Sequence, residues 1–358
     1  NEGLLTPKKN GTVTVTATAT DGSGITDSLE INISGVVLTN LRAENMLLWQ
    51  RSNGGWPKEP YNDFSGYDRQ QTEEEIATAM NTKDNTDTTI DNGHTVGEIR
   101  TLLSAYKGTN NANYLAGAEK GIDYLLEAQY DNGGWPQYYP LRDNYSRHIT
   151  YNDNAMANVM NLLWDIYKQQ NNADLVNPSY IDVAKTAFDK GIDIMLQTQL
   201  SYNGKKAIWC AQHDEVTLEA AAARSYELPS FSGSESVGVV RTLMLVEQPS
   251  QEIIDAISNA IDWFNESKIV GYNTQTVYDS SYPDGFDVIV VEDPGHVMWA
   301  RFYDLDTSLP FFCGRDGIKK STLAEIEYER RTGYAWYGNW PASLISNDYP
   351  AWKTRNGL

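Results

Sequence analysis

At 358 residues the chain is long enough for one large helical domain or two ordinary ones. Its 48 acidic residues against 28 basic ones give a net charge of −20, which excludes nucleic acid as a partner because no basic stripe exists to release counterions. No apolar run approaches the roughly 20 residues that a helical membrane span needs, so no membrane partner is expected.

In chain order, Asn1 to Asn10 lack the apolar stretch of a signal peptide, and the first residue is Asn rather than Met. The chain is therefore expected to be an excised or processed piece. Between Gly11 and Gly35 the pattern is that of strands. Thr12 to Thr20 alternates β-branched with small residues, Asp21-Gly22-Ser23-Gly24 turns, and Ser28 to Ile33 alternates again. Two strands cannot bury a core alone; residues 1–37 resemble the β-hairpin tail of a bacterial immunoglobulin-like module, and this remnant is expected to lean on the main domain, residues 38–358.

From about Leu38 the pattern becomes helical. Apolar residues recur at helical spacing over Glu98 to Tyr106, Ala155 to Tyr167, Tyr180 to Leu196, Ser236 to Val246 and Gln251 to Asn265. Loops rich in Asn, Gly and Pro separate them. One phrase is repeated: Asn53-Gly54-Gly55-Trp56-Pro57-Lys58 and Asn132-Gly133-Gly134-Trp135-Pro136-Gln137. A third copy is blurred, Asn203-Gly204 to Trp209, and a fourth echo is Tyr337-Gly338-Asn339-Trp340-Pro341. Repetition at long intervals predicts stacked helical units. The expected fold is all-α, an incomplete toroid of helical hairpins whose long loops build a groove at one end. The 10 tryptophans and 22 tyrosines either stack on sugar rings in that groove or fill core and rim.

Two short clusters precede apolar-periodic helices. The first is Thr89-Ile90-Asp91-Asn92-Gly93-His94-Thr95, where a carboxylate, an amide oxygen and an imidazole fall within four residues. Such a set suits an oxygen-seeking cation or a substrate. It equally suits a helix cap, with Thr95 or Asn92 capping and Asp91 complementing the dipole. The second is Thr150-Tyr151-Asn152-Asp153-Asn154. Calcium takes six to eight oxygen ligands, and Asp91, Asn92 and Asp153 supply part of such a shell. Neither segment has an EF-hand pattern.

Arginines stand out against the acidic background. Arg224 follows Trp209-Cys210-Ala211-Gln212-His213-Asp214, Arg301 lies in Ala300-Arg301-Phe302-Tyr303-Asp304, and Arg315 lies in Phe312-Cys313-Gly314-Arg315-Asp316-Gly317, with Arg330 and Arg331 beyond. Guanidinium planes match carboxylates bidentately, although Arg301 and Arg315 have Asp304 and Asp316 nearby as simple ion-pair partners. Cys210 and Cys313 either pair or stay free. The chain has no Gly-x-Ser-x-Gly elbow, phosphate loop or His-Glu-x-x-His helix.

These motifs, in the same order, resemble polysaccharide lyase family 10, the pectate lyases, from about Leu38 to the C-terminus. The resemblance implies an (α/α)3 toroid and Ca2+-assisted β-elimination of polygalacturonate. It implies that Asp153 binds the catalytic calcium with Asp91 and Asn92 beside it, and that Arg224 is the base. Arg301 and Arg315 would hold uronate carboxylates, and His94 and Arg331 are assigned to substrate binding with them. A cation-crowded site would depress the Arg224 pKa from its usual value above about 12 and give an alkaline rate optimum. The substrate further implies secretion, and the enzyme is expected to be monomeric. Two other readings are a carboxylate-based glycosidase, using Asp91 with Asp153 or Asp214 with Glu235, and a carbohydrate-binding protein without catalysis. An unsaturated product separates the lyase from the first, and a change in chain length separates it from the second.

Overall fold

The alternation near the N-terminus forms the antiparallel pair it predicts. Strands β1 (Gly11–Thr18) and β2 (Thr26–Ile33) run in register from Gly11 opposite Ile33 to Thr18 opposite Thr26. The structure, a computed structural model, describes residues 10–358, so the expectation on Asn1 to Lys9 lies outside the described residues. No residue of either strand is buried.

Helical periodicity is followed by helices in every expected stretch. The helices include α1 (Leu41–Trp49), α2 (Glu73–Asn81), α3 (Val96–Thr109), α4 (Ala112–Glu127), α5 (Ala155–Lys168), α6 (Tyr180–Gln197), α7 (Glu235–Leu243) and α8 (Gln251–Ser267), of which α3, α5, α6, α7 and α8 are the five expected stretches. In α5 the buried residues Ala155, Met156, Val159, Met160, Leu162, Leu163 and Ile166 recur every three or four positions. Burying each large aliphatic among them contributes about 1.5–3 kcal/mol, far more than helix propensity does. Helices α3 and α4, α5 and α6, and α7 and α8 pack as pairs, while α1, α3, α5 and α7 touch in succession.

The repeated phrase has a physical job at the ends of α1, α4 and α6. The last four carbonyls of a helix lack internal partners. Trp56 Nε1 donates to Met46 O of α1, Trp135 Nε1 to Leu125 O of α4 and Trp209 Nε1 to Met195 O of α6, at 2.6–2.7 Å. Gln50, Gln129 and Gln199 extend the pattern. Each side-chain amide donates once within its own turn and once to the next helix, at Gly117, Ala187 and Ala256 respectively. The glycines follow from close packing. Gly54 (φ +99°) and Gly133 (φ +97°) adopt a left-handed backbone, and a Cβ there would sit 2.2 Å from Lys120 O or 2.1 Å from Lys190 O.

Two expectations need correction. The chain is largely helical but not all-α, because β3 (Ile269–Tyr278) and β4 (Phe286–Ala300) form a long antiparallel hairpin, bulged between Val270 and Tyr272, with Tyr337–Gly338 paired to the end of β4. The fourth structural counterpart of the repeat is also not Trp340. Trp299, at the end of β4, donates Nε1 to Phe264 O of α8 at 2.8 Å, whereas Trp340 opens a short helix, Trp340–Ser343, followed by Pro341.

Candidate functional site

The inner helices α3, α5 and α7 begin beside one another, and the loops leading into them wall a cleft of about 170 Å³. Asn92 (φ +50°) and Asp153 (φ +51°) share a left-handed backbone in matching turns before α3 and α5. Asn and Asp tolerate that conformation better than other side chains. Neither turn caps its helix with a side chain. The Thr95 hydroxyl instead accepts from Trp56 N (3.1 Å) and donates to Thr89 O (2.8 Å), which fastens the first repeat to the first cluster. The helix starts thus carry positive ends toward the cleft, and carboxylates collect there: Asp91, Asp153 and, in the first turn of α7, Glu235.

The cleft is lined by Lys58, Asp91, Gln137, Tyr138, Tyr145, Asn152, Asp153, Gln212, Arg224 and Glu227. Asp91 is buried, and its Oδ2 is held by Lys58 Nζ at 2.7 Å while its Oδ1 has no partner among the described residues. With the Asn92 amide oriented by its surroundings, its nitrogen donates to Asp153 Oδ2 (3.2 Å) and its oxygen accepts from Lys58 Nζ (2.9 Å). Asp153 Oδ2 also accepts from Asn152 Nδ2 (2.8 Å), and Oδ1 lies 3.4 Å from Arg301 Nη2. Desolvation, and then the charge of Glu235, raise Asp153 above the usual carboxylate range despite Arg301.

Arg224 is gripped by Glu227 through Nε (2.7 Å) and Nη2, and Tyr334 Oη donates to Glu227 Oε1 at 2.9 Å. The Glu227 bonds raise the Arg224 pKa above its ordinary value, opposite to the expected depression. Burial pushes Glu227 up, but the bonds and charge of Arg224 outweigh it and hold the carboxyl below its usual range. Arg301 pairs with Glu235, which is 2% exposed, and leaves Nε without a partner among the described residues. Burial works against the Arg301 charge, yet Glu235, Tyr334 and Asp153 together raise its pKa. The Tyr334 ring lies 4.7 Å from the Arg301 guanidinium and 5.8 Å from that of Arg224, so the two cations flank one aromatic residue.

Other candidates lie elsewhere. Arg315 is exposed at the rim, bidentate to Glu329 at 3.0 Å, with Tyr226 between it and Arg224. Arg331 does not reach the cleft, because both its arms bind Asp287 at 2.8 Å and Nη1 donates to Ile326 O. His94 is fully buried, with Nδ1 3.0 Å from Glu98 Oε1, Nε2 3.3 Å from Asn62 O and its ring stacked on Phe64. It supports the Asp91 turn from below and offers nothing to a substrate. Cys210 and Cys313 are buried and unpaired. Asp214 accepts from the backbone of Val216 and Thr217, so it is spent on a turn. His148, Asp214 and Glu215 bring possible ligand atoms within 4.8 Å of one another, but Glu215 already binds Arg147 (2.6 Å) and His148 (3.1 Å).

Lys58, Glu227 and Tyr334 escaped the sequence reading. For Lys58 a signal existed, since it follows Trp-Pro in the first repeat as Gln137 does in the second, and both line the cleft. Glu227 is three residues from Arg224. Nothing local marks Tyr334.

A family model described as pectic acid lyase matches residues 50–345. Two solved structures are similar to this chain. One is a family 10 polysaccharide lyase from Cellvibrio cellulosa, at 36% identity and a TM-score of 0.74, covering 88% of this chain and 91% of that one. The other is an aspartate-to-alanine mutant of a family 10 polysaccharide lyase from the same organism in complex with trigalacturonic acid, at 36% identity and a TM-score of 0.75, covering 88% of this chain and 92% of that one. None of the curated proteins matches.

Proposed function

This chain belongs to the pectic acid lyase family and is a polysaccharide lyase, and from that premise we propose that it cleaves polygalacturonate by calcium-assisted β-elimination with Arg224 as the base. The observation that carries the reading is the meeting of Asp91, Asp153 and Arg224 in one cleft, where a buried carboxylate oxygen, Asp91 Oδ1, lacks a partner. The proposed scaffold is an incomplete (α/α)3 toroid built from the pairs α3/α4, α5/α6 and α7/α8. Residues 1–37 are proposed to be the remnant of a separate immunoglobulin-like module. The bound trigalacturonic acid of the Cellvibrio structure supports the substrate class.

The donors fit an oxygen-seeking cation. Asp153, Asp91 and the Asn92 amide would hold it, and the orphaned Asp91 oxygen is the kind of group that calcium satisfies. Bound there, the ion supplies Lewis-acid neutralisation of a uronate carboxylate. Charge balance supports this. Lys58, Arg224 and Arg301 face Asp91, Asp153, Glu227 and Glu235, so the protein alone gives a polyanion no net attraction.

In the reaction the C5–H bond and the C4–O4 bond break, a C4=C5 double bond forms, and O4 takes a proton from solvent as it leaves. Charge develops next to the C5 carboxylate. Arg301, with an unpartnered Nε and Nη2 close to Asp153, neutralises it. Arg224 receives the C5 proton, oriented by the Glu227 fork and the Tyr334 hydroxyl behind it. Because Glu227 favours the protonated guanidinium, the neutral base is scarce at neutral pH, and the rate is expected to climb into the alkaline range. Arg315 serves an outer uronate at the rim.

The test is incubation with polygalacturonate with and without a chelator, following the ultraviolet absorbance of the unsaturated product, product size, and rate against pH. Chelator-sensitive absorbance with an alkaline optimum is expected. Chain shortening without absorbance would mean hydrolysis, and an optimum below neutrality would remove Arg224 as the base. Secretion and a monomeric state accompany the proposal.

A further inference from the structure

Among the described residues Lys58 is the one ammonium that lines the cleft, and its position is specific. Nζ lies 2.7 Å from Asp91 Oδ2 and 2.9 Å from the Asn92 amide oxygen. These are two of the three groups that, on the functional reading above, hold calcium. The third, Asp153, accepts from the other end of the same Asn92 amide at 3.2 Å. We propose that Lys58 is a resident counter-ion whose ammonium occupies the cation seat in the metal-free chain, so that Ca2+ binds only by displacing it.

Three further features support this. The Lys58 side chain keeps about a quarter of its surface exposed, so an exit into the cleft is open, whereas Asp91 is buried and cannot follow it. The isolated pairing of Pro57 with Thr88 anchors the backbone next to Lys58 on the segment that leads to Asp91, so the ammonium returns to the same place when the ion leaves. The scaffold itself does not require the charge. The equivalent residue of the second repeat, Gln137, is neutral and lines the same cleft after an identical Trp-Pro turn.

A buried carboxylate without a counter-charge is costly. The lysine supplies that counter-charge at 2.7 Å until calcium arrives. Once displaced, the ammonium is free in the cleft, where the uronate carboxylates of a pectate chain must enter. One side chain thereby couples loss of its own ion pair to arrival of an anionic substrate.

The test is calorimetric titration of Ca2+ into the wild-type chain and into Lys58→Met, Lys58→Gln and Lys58→Arg, at fixed pH and ionic strength and without substrate. Removing a unit charge a few ångströms from the ion should tighten Ca2+ binding by about tenfold or more in Lys58→Met and Lys58→Gln. Lys58→Arg, which keeps the charge, should stay near wild type. Thermal melting gives a second readout. Without calcium Lys58→Met should melt below wild type, and calcium should raise its melting temperature by more than it raises that of wild type. A lysine with only a structural role would lower melting equally with and without calcium and leave the affinity unchanged. Unchanged or weaker Ca2+ binding in both neutral variants, with wild type binding normally, overturns the counter-ion role alone. If no variant and no wild-type chain binds Ca2+, the cation site itself is wrong and the inference falls with it. Should Lys58→Met not fold, Lys58→Gln carries the comparison, since its amide still donates to Asp91.

Discussion

Replacing Arg301 by Met should cost stability as well as activity, and the two losses can be separated. Glu235 is 2% exposed at its side chain and Arg301 is 10% exposed, so the pair is desolvated. In the variant Glu235 keeps only the Ser232 hydroxyl and the Ser232-capped turn as polar surroundings. Truncating one partner of such a pair leaves an uncompensated buried charge, at a cost of about 3–5 kcal/mol. The contact with Asp153 adds little, because at 3.4 Å it is long and the carboxylate is partly exposed. The assay is urea unfolding, compared with the double variant Arg301→Met/Glu235→Gln. The amide retains the bond to Ser232 and removes the charge, so the double variant should recover most of the lost stability. Turnover of polygalacturonate should stay lost in both, because the carboxylate clamp is absent in both. A single variant that loses less than about 1 kcal/mol would refute the desolvated pair. A double variant that regains turnover would refute the role of Arg301 at the uronate carboxylate.

Three other outcomes are expected. Arg224→Lys replaces a fork by a point charge and cannot grip Glu227 bidentately, so turnover should fall by about 100-fold or more while oligogalacturonate binding by calorimetry persists; near wild-type turnover would put the base elsewhere. Asp153→Ala should abolish the calcium-dependent rate, and a variant that is fully active in chelator would contradict a cation at that site. His213 is fully buried, Nε2 accepting from Cys210 N (3.2 Å) and Nδ1 bonded to Leu218 O (3.0 Å), and burial lowers its pKa to about 4. The unfolded chain takes up that proton first as pH falls below the usual value of about 6.5, so stability present above it should decline by about 3 kcal/mol on the way down to the folded value. Unfolding curves of wild type and His213→Gln between neutral and mildly acid pH check this, since the slope should flatten in the variant.

Some features were legible because they are set by neighbours along the chain. The Asn-Gly-Gly-Trp turns read as a repeat, and each copy closes a helix by an indole bond to a carbonyl 10 residues earlier for Trp56 and Trp135 and 14 earlier for Trp209. The hairpin of β3 and β4 escaped detection for the opposite reason. Its residues are mostly half-buried or exposed on both faces, Gly271 bulges β3 and Pro294-Gly295 interrupts β4, so no clean alternation announces two long strands. The worn fourth echo at Trp340 misled because composition alone cannot tell an indole that caps a helix from one that starts one.

The sequence by itself determined the long helices α3 and α5 to α8, where the repeated turns fall, and that Asp91, Asn92 and Asp153 stand at helix starts, because periodicity and turn chemistry act over a few residues. Only the tertiary structure decided which charges meet. Arg301 finds Glu235 across 66 positions and Asp153 across 148, and Arg331, also an arginine, is taken by Asp287 across 44. His94 has the chemistry of a ligand and the burial of a core residue. A guanidinium, an ammonium or an imidazole pairs with whatever the fold sets within a few ångströms in a desolvated place, and neither proximity nor desolvation is written locally.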